Sequence, residues 1–238
     1  MTALPRPLCA AASLLAALTA LTALPPAAAA TLHVTVIGAD GRPAADAVVM
    51  VQAAGAAPAA VPSAAPVAIE QRDFRFVPYV TVVPVGSSVR FVNKDPFDHH
   101  IRSLPSGPLG GVAPVKAFEY RLAAAGKGKG GDASEALKLD IAGSVLLGCH
   151  LHGSMRGHLL VVAAPWFAVT DDRGRAHVEG LPEGAVELKL WHPDQLTEQT
   201  AQQLQLGPSL GAEARLNFTP RPRPAPRRPA PEYVPPAN

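Results

Sequence analysis

The sequence predicts an all-β chain. Three observations predict it: apolar residues recur with a period of two, Val and aromatic residues fall in short runs between Pro and Gly breakers, and strong helical periodicity is absent over residues 67–163. Short strands punctuated in this way pack most economically as a β-sandwich. At 238 residues the chain can bury one moderate core or two small ones, and two small domains are expected.

Residues 1–30 stand apart from this pattern. A single positive side chain, Arg6, precedes an Ala/Leu-rich run from Leu8 to Leu24, then Pro25-Pro26 and the small residues Ala28-Ala29-Ala30. That order of charge, apolar stretch and small-residue exit predicts a secretory signal peptide cut after Ala30. A membrane span is the competing reading, but the run is short, broken by prolines and followed by no positively charged stop. The expected location is therefore the periplasm, with no membrane span after cleavage.

From Thr31, Leu32, Val34 and Val36 alternate with His33, Thr35 and Ile37, a turn signal follows at Ala39-Asp40-Gly41-Arg42-Pro43, and a second run covers Ala47 to Gln52. Two strands joined by a turn are predicted over 31–55. The Ala/Pro/Gly-rich stretch 56–66 has no periodicity and reads as a linker. Residues 67–163 then give strands at Val67–Ile69, Tyr79–Val83, Ser88–Asn93, Phe118–Leu122, Leu137–Ile141, Ser144–Cys149 and Gly157–Val162. Gly126 to Gly131 interrupts them as a glycine- and lysine-rich surface loop. Over 164–219 the pattern continues with Phe167–Thr170, a turn at Asp171–Gly174, Ala176–Val178, a turn at Leu181–Gly184 and Ala185–Trp191. Residues 220–238 are Pro- and Arg-rich, lack the apolar content to fold, and are expected to be a disordered or polyproline tail.

Charge excludes one class of partner. Lys+Arg number 21 against 19 Asp+Glu, and four of the arginines fall in the tail, so no basic face for nucleic acid is indicated. Of the two cysteines, Cys9 lies inside the signal, which leaves Cys149 alone in the mature chain. A lone cysteine in an exported protein is a free thiol or a metal-bound thiolate.

The second option has support in the residues around it. Gly148-Cys149-His150-Leu151-His152-Gly153-Ser154-Met155 places a thiol, an imidazole and a thioether at i, i+3 and i+6. About fifty residues upstream, Asn93 to His100 ends a strand with two histidines. Two imidazoles, a thiolate and a weak thioether are the donor set of a blue-copper electron-transfer site. The soft thiolate binds Cu(II) covalently, imidazoles suit both oxidation states, and a long thioether contact leaves Cu(II) under-coordinated. Zinc is the inorganic rival, with His150 and His158 as further donors, but structural zinc prefers several thiolates and does not use Met. Taken singly, Cys149 and Met155 would be core filler and the histidines surface residues; their joint spacing favours the metal.

These segments resemble the cupredoxin family, in particular its plastocyanin-like and amicyanin-like members, over about Val67 to Val162. Val89, Phe91, Asn93, Asp95 and His99 match V-x-F-x-N-x-D-x-x-x-H, while Cys149, His152, Met155, Gly157, Leu159 and Val161 match a second signature, C-x-x-H-x-x-M followed by x-G-x-ϕ-x-V with ϕ aliphatic. The resemblance implies a Greek-key sandwich with one type 1 copper held by His99, Cys149, His152 and Met155. The family usually has Asn or Thr after the first histidine, where this chain has His100. His100 is expected to face outward or to support the site, with an exchange of roles between His99 and His100 the alternative. Strand alternation should turn His150 away from the metal, and His158 is expected to be structural or solvated.

The flanks resemble a second family, the carboxypeptidase-regulatory-like or transthyretin-like β-sandwich. Val36 to Val49 is similar to its opening hairpin, and Thr170–Ala176 with Gly180–Gly184 to its later turns. The expected architecture is a cupredoxin sandwich at 67–163 inserted into a smaller sandwich formed by 31–55 and 164–219. This layout is similar to bacterial proteins labelled methylamine-utilisation proteins. The resemblance implies a one-electron carrier that serves a periplasmic redox protein, with copper storage or delivery as the alternative. Catalysis is not expected, because copper oxidases and nitrite reductases need a second centre built from further His-x-His pairs, and only His150-Leu151-His152 has that form.

Overall fold

The computed structural model describes residues 29–55, 64–106, 111–126 and 132–223, and among them it has sixteen strands and no helix. The chain is an all-β protein whose strands form four sheets around two main cores.

β1 (Ala29–Ile37) buries Leu32, Val34 and Val36 and exposes His33 and Thr35, as the alternation predicts. Ile37, expected on the outer face, is buried, because the chain turns there and its carbonyl accepts the Leu216 amide at 2.9 Å. β1 is the middle strand of a three-stranded sheet, antiparallel to β13 (Arg175–Pro182) and parallel to β16 (Ser209–Arg215). It begins at Ala29, ahead of the expected cleavage point, with Ala30 fully buried opposite Leu181.

β2 (Val48–Ala53) belongs to a different sheet, ordered β12 (Trp166–Val169), β2, β14 (Gly184–Trp191), β15 (Gln202–Leu206). The expected opening hairpin is therefore an arch that crosses between sheets. Both edges of β1 are already taken, so β2 cannot pair with it. The turn itself forms where expected, with Gly41 at a φ of 77° that glycine alone adopts without strain. The two sheets enclose one core of Leu32, Val34, Val36, Val49, Val51, Val178, Leu188 and their neighbours, so strands before residue 54 pair with strands after residue 165.

Residues 67–162 make the other pair of sheets. One is ordered β5 (Val80–Pro84), β11 (Arg156–Val162), β10 (Gly143–Cys149), β7 (His99–Leu104), β8 (Glu119–Leu122). Facing it is β4 (Arg75–Val77), β3 (Val67–Arg72), β6 (Ser87–Asn93), β9 (Leu137–Leu139). Ile69, Phe76, Phe91, Ile101, Leu147 and Leu159 fill the space between, together with Cys149 and Met155. β4, β7, β15 and β16 are strands that apolar alternation did not reveal.

A third cluster joins the two sandwiches. β2 and β11 are buried on both faces: Val49 and Leu159 point into their own cores, while Val48, Leu160 and Val162 meet Val80 and the flanking Tyr79, Phe167 and Trp191. The lysine-bearing part of the 126–131 loop, most of the expected linker and residues 224–238 lie outside the described residues, as does the expected signal segment before Ala29. The first residues of the expected tail are held in place, however. The Arg221 guanidinium donates to Asp194 Oδ1 at 2.6 Å while its amide donates to Oδ2, and the Arg223 guanidinium donates to both oxygens of Asp46, one at 2.7 Å.

Candidate metal centre

Antiparallel pairing of β10 with β7 sets the end of one beside the start of the other, with Cys149 opposite Ile101 and His99 two residues away on the same face. The backbone continues the ladder past the strand end: the His150 amide donates to the His100 carbonyl at 2.8 Å. The loop that follows folds back on itself, since the Met155 amide donates to the His152 carbonyl at 2.8 Å and the Cys149 amide to the Met155 carbonyl at 3.4 Å. A six-residue connection between neighbouring strands thereby returns His152 to the cysteine.

Three potential ligand atoms converge. His99 Nδ1 and His152 Nδ1 are 3.2 Å apart, and Cys149 Sγ lies 3.6 Å from the first and 3.4 Å from the second. The point equidistant from the three is about 2.0 Å from each, close to the roughly 2.0–2.1 Å of a metal–imidazole bond and the roughly 2.3 Å of a metal–thiolate bond. These side chains fit a single transition-metal ion. Met155, 1% exposed, packs in the same core as Cys149.

A supporting set of buried polar groups aims the first imidazole. Asp95, 3% exposed, places Oδ2 at 2.9 Å from His99 Nε2, and since a carboxylate only accepts, Nε2 carries the proton and Nδ1 is left as a lone pair. The same carboxylate accepts the amides of Asp73 at 2.6 Å and Phe74 at 3.3 Å. Those two residues have φ of 53° and 60°, the left-handed pair that a tight β3–β4 hairpin requires. Asn93, fully buried, donates to the carbonyls of Phe97 and Ala123 at 2.8 Å each and accepts the Asp95 amide at 2.9 Å. The loop leading to His99 is thus fixed from both ends.

Aromatic rings close the solvent side. Phe74 stacks on Phe97 with centroids 4.2 Å apart, and both meet His152 edge-on at 4.9 and 5.3 Å. His99, Cys149 and Met155 are buried and His152 is half-buried, so the imidazole of His152 is the edge of the cluster nearest water. Leu151 beside it is 51% exposed.

Electrostatics bias the cluster toward a thiolate. Burial works to raise the Cys149 thiol, but its contact with the His99 ring and hydrogen bonds from the amides of His100, His152 and Leu151 outweigh it and lower the pKa. Burial opposes a charge on His99, yet its bonds to Cys149 and Asp95 raise it overall. His152 is lowered, first by burial and then by the charge of His99.

The structure brings His99, Cys149 and His152 together and leaves the other histidines out. His100 turns its ring toward the Glu119 carboxylate and toward His150, with centroids 5.4 Å apart, while its amide donates to Cys149 Sγ at 3.4 Å. His158 lies at the joint between the sandwiches, 3.3 Å from the Tyr79 hydroxyl. Asp95, Phe74 and Phe97 were not singled out as working parts of the site from sequence. The carboxylate–histidine spacing of Asp95 and His99, at i and i+4, was the available signal for the first.

Comparison with known proteins gives structural neighbours only. No family profile matches the chain, and no curated protein does. A Cu-containing nitrite reductase from Thermus scotoductus SA-01 aligns with 24% identity and a TM-score of 0.34 over 44% of this chain; the alignment spans 25% of the reductase. A purple cupredoxin from Nitrosopumilus maritimus aligns over 40% of this chain and 99% of its own, with 20% identity and a TM-score of 0.33. An oxidised amicyanin variant aligns over 48% of this chain and 99% of its own, with 22% identity and a TM-score of 0.32.

Proposed function

We propose that this chain is a periplasmic type 1 copper protein that carries single electrons between redox partners. The observation that carries the reading is the triangle of two Nδ1 atoms and one sulfur whose centre lies at bonding distance from all three. His99, Cys149 and His152 would supply the strong ligands and Met155 the weak axial one, a donor set that favours copper over zinc. A copper ion held there would alternate between Cu(I) and Cu(II).

The chain's own part is to keep the ligands still and to offer a way in. Asp95 and Asn93 fix the approach to His99, and the folded-back loop fixes His152 and Met155. Ligands so restrained cannot rearrange much between oxidation states, which keeps the cost of electron transfer low. The half-buried His152, set among Phe74, Phe97 and exposed Leu151, is the apolar edge where a redox protein would dock.

The pairing of β1 and β2 with strands after residue 165 supports reading the copper domain as an insertion in a regulatory-like sandwich. The charge order of residues 1–30 supports export. No helix among the described residues is long and apolar enough to cross a membrane. A carrier is favoured over an enzyme on the sequence argument that catalysis needs a second centre built from further His-x-His pairs, a form that only His150-Leu151-His152 has.

A visible spectrum of the exported protein with copper added tests the proposal. An intense thiolate-to-copper absorption that bleaches and returns through reduction and reoxidation is expected. A colourless complex would refute the type 1 assignment. Rapid loss of Cu(I) to a chelator would turn the reading toward delivery.

A further inference from the structure

The flanking sandwich holds a second pair of histidines. His33 of β1 and His177 of β13 are direct partners across an antiparallel pair, both on the solvent face of their sheet. Their Nδ1 atoms are 3.0 Å apart and their ring centroids 4.4 Å apart. The strand register brings them together across 144 residues of chain, so neither shows as a motif.

Glu179 decides which nitrogen of His177 is free. Its Oε1 lies 2.7 Å from His177 Nε2, which must therefore carry the proton, and His177 Nδ1 presents a lone pair toward His33. If His33 moves its own proton to Nε2, both Nδ1 lone pairs address one point. Two nitrogens 3.0 Å apart, each about 2.0 Å from a common centre, subtend roughly 97° there. That is close to the right angle between neighbouring positions of a square-planar or octahedral ion. Access is open as well: the neighbour of His33 in β16 is Gly211, where a side chain would meet nothing within 4 Å.

We propose that His33 and His177 form a second, solvent-accessible site for a divalent first-row transition-metal ion, best suited to Cu(II), with Glu179 orienting His177 from outside the coordination shell. Imidazole nitrogen suits Ni, Cu and Zn, and Cu(II) stands highest in affinity and favours tetragonal geometry. Water fills the remaining positions. The site lies on the other sandwich from Cys149, shares no residue with the thiolate cluster and does not depend on the function proposed for it.

The test loads the whole protein with one and then two equivalents of Cu(II). The first equivalent is followed by the thiolate absorption and the second by its electron paramagnetic resonance. A tetragonal second signal with nitrogen superhyperfine structure is expected in the wild type. His33→Ala and His177→Ala should each weaken this second equivalent by at least about tenfold, and Glu179→Gln by less, in line with the cost of losing an outer partner. Thermal midpoints matching the wild type show that the variants fold. A Zn(II) titration of the unaltered protein, followed by the ring protons of both histidines, reads the site without any substitution, and the two rings should shift together. A wild type that takes no second ion, or a His177→Ala variant that binds it unchanged, overturns the proposal, as does a Zn(II) titration that moves one ring alone.

Discussion

Lowering the pH should weaken the fold through one histidine. His158 is largely buried between the sandwiches, with its ring edge-on to Tyr79 at 5.2 Å and to Trp191 at 6.2 Å. Burial, opposed by Asp194 and aided by the positive charges of His192 and Arg221, pushes its pKa down to about 4. In the unfolded chain the same ring titrates near 6.5. The unfolded state therefore binds the proton more readily, so stability is complete above about pH 6.5 and is lost as pH falls toward 4. At about 1.4 kcal/mol for each pH unit, the loss between pH 7.5 and 4.5 is roughly 2.5 kcal/mol. Carboxylates contribute their own pH dependence, so the assay is a difference: urea unfolding of the wild type and of His158→Gln across that range. The gap between the two profiles should change by about 2–3 kcal/mol in favour of the variant at low pH. Parallel profiles would refute the reasoning, because they would mean that the ring titrates alike in both states.

Other perturbations address the metal centre and the core around it. Cys149→Ser should abolish the copper charge-transfer colour, whereas Met155→Leu should keep it and raise the reduction potential; both are read by spectrum and voltammetry. His99→Ala should remove copper and His100→Ala should not, since the His100 ring addresses Glu119, and equilibrium dialysis separates the two. Asp95→Ala removes the acceptor of His99 and of two turn amides, so copper affinity should fall about 10–100-fold in a competition titration. Gly157→Ala would set a methyl group 2.7 Å from Phe76 in a filled core. A loss of about 1–3 kcal/mol is expected by denaturant unfolding.

Local pattern was legible in the sequence; pairing across distance was not. Leu32, Val34 and Val36 announce β1 because one face is buried and the other wet, and Cys149, His152 and Met155 announce a loop of potential metal donors because a single turn holds all three. β7 escaped notice because His99 and His100 are polar yet both buried, so alternation by apolar residue type fails there. β15 and β16 escaped for the opposite reason: Gln202–Leu206 and Ser209–Arg215 are edge or small-residue strands with few large side chains to mark a face. The arch after β1 carries the same sequence signal as a hairpin, because a turn signal states that the chain reverses without stating which sheet receives it. Asp95 stood in the motif, but its work depends on Asp73 and Phe74, which reach it only through the β3–β4 hairpin.

The joint between the sandwiches bears on the centre more directly than separation along the chain suggests. β11 starts one residue after Met155 and serves two clusters, Leu159 and Val161 packing in the core around Cys149 and Leu160 and Val162 in the joint. Gly157, without a side chain, lies against Phe76, while His158 at the next position faces Tyr79 and Trp191. Burial there disfavours a charge on His158. Three residues before His158, the Met155 carbonyl accepts the Cys149 amide at 3.4 Å. The same hydrogen-bonded loop that holds Cys149, His152 and Met155 together is thus separated by two residues from His158 in the contact between the two halves of the molecule.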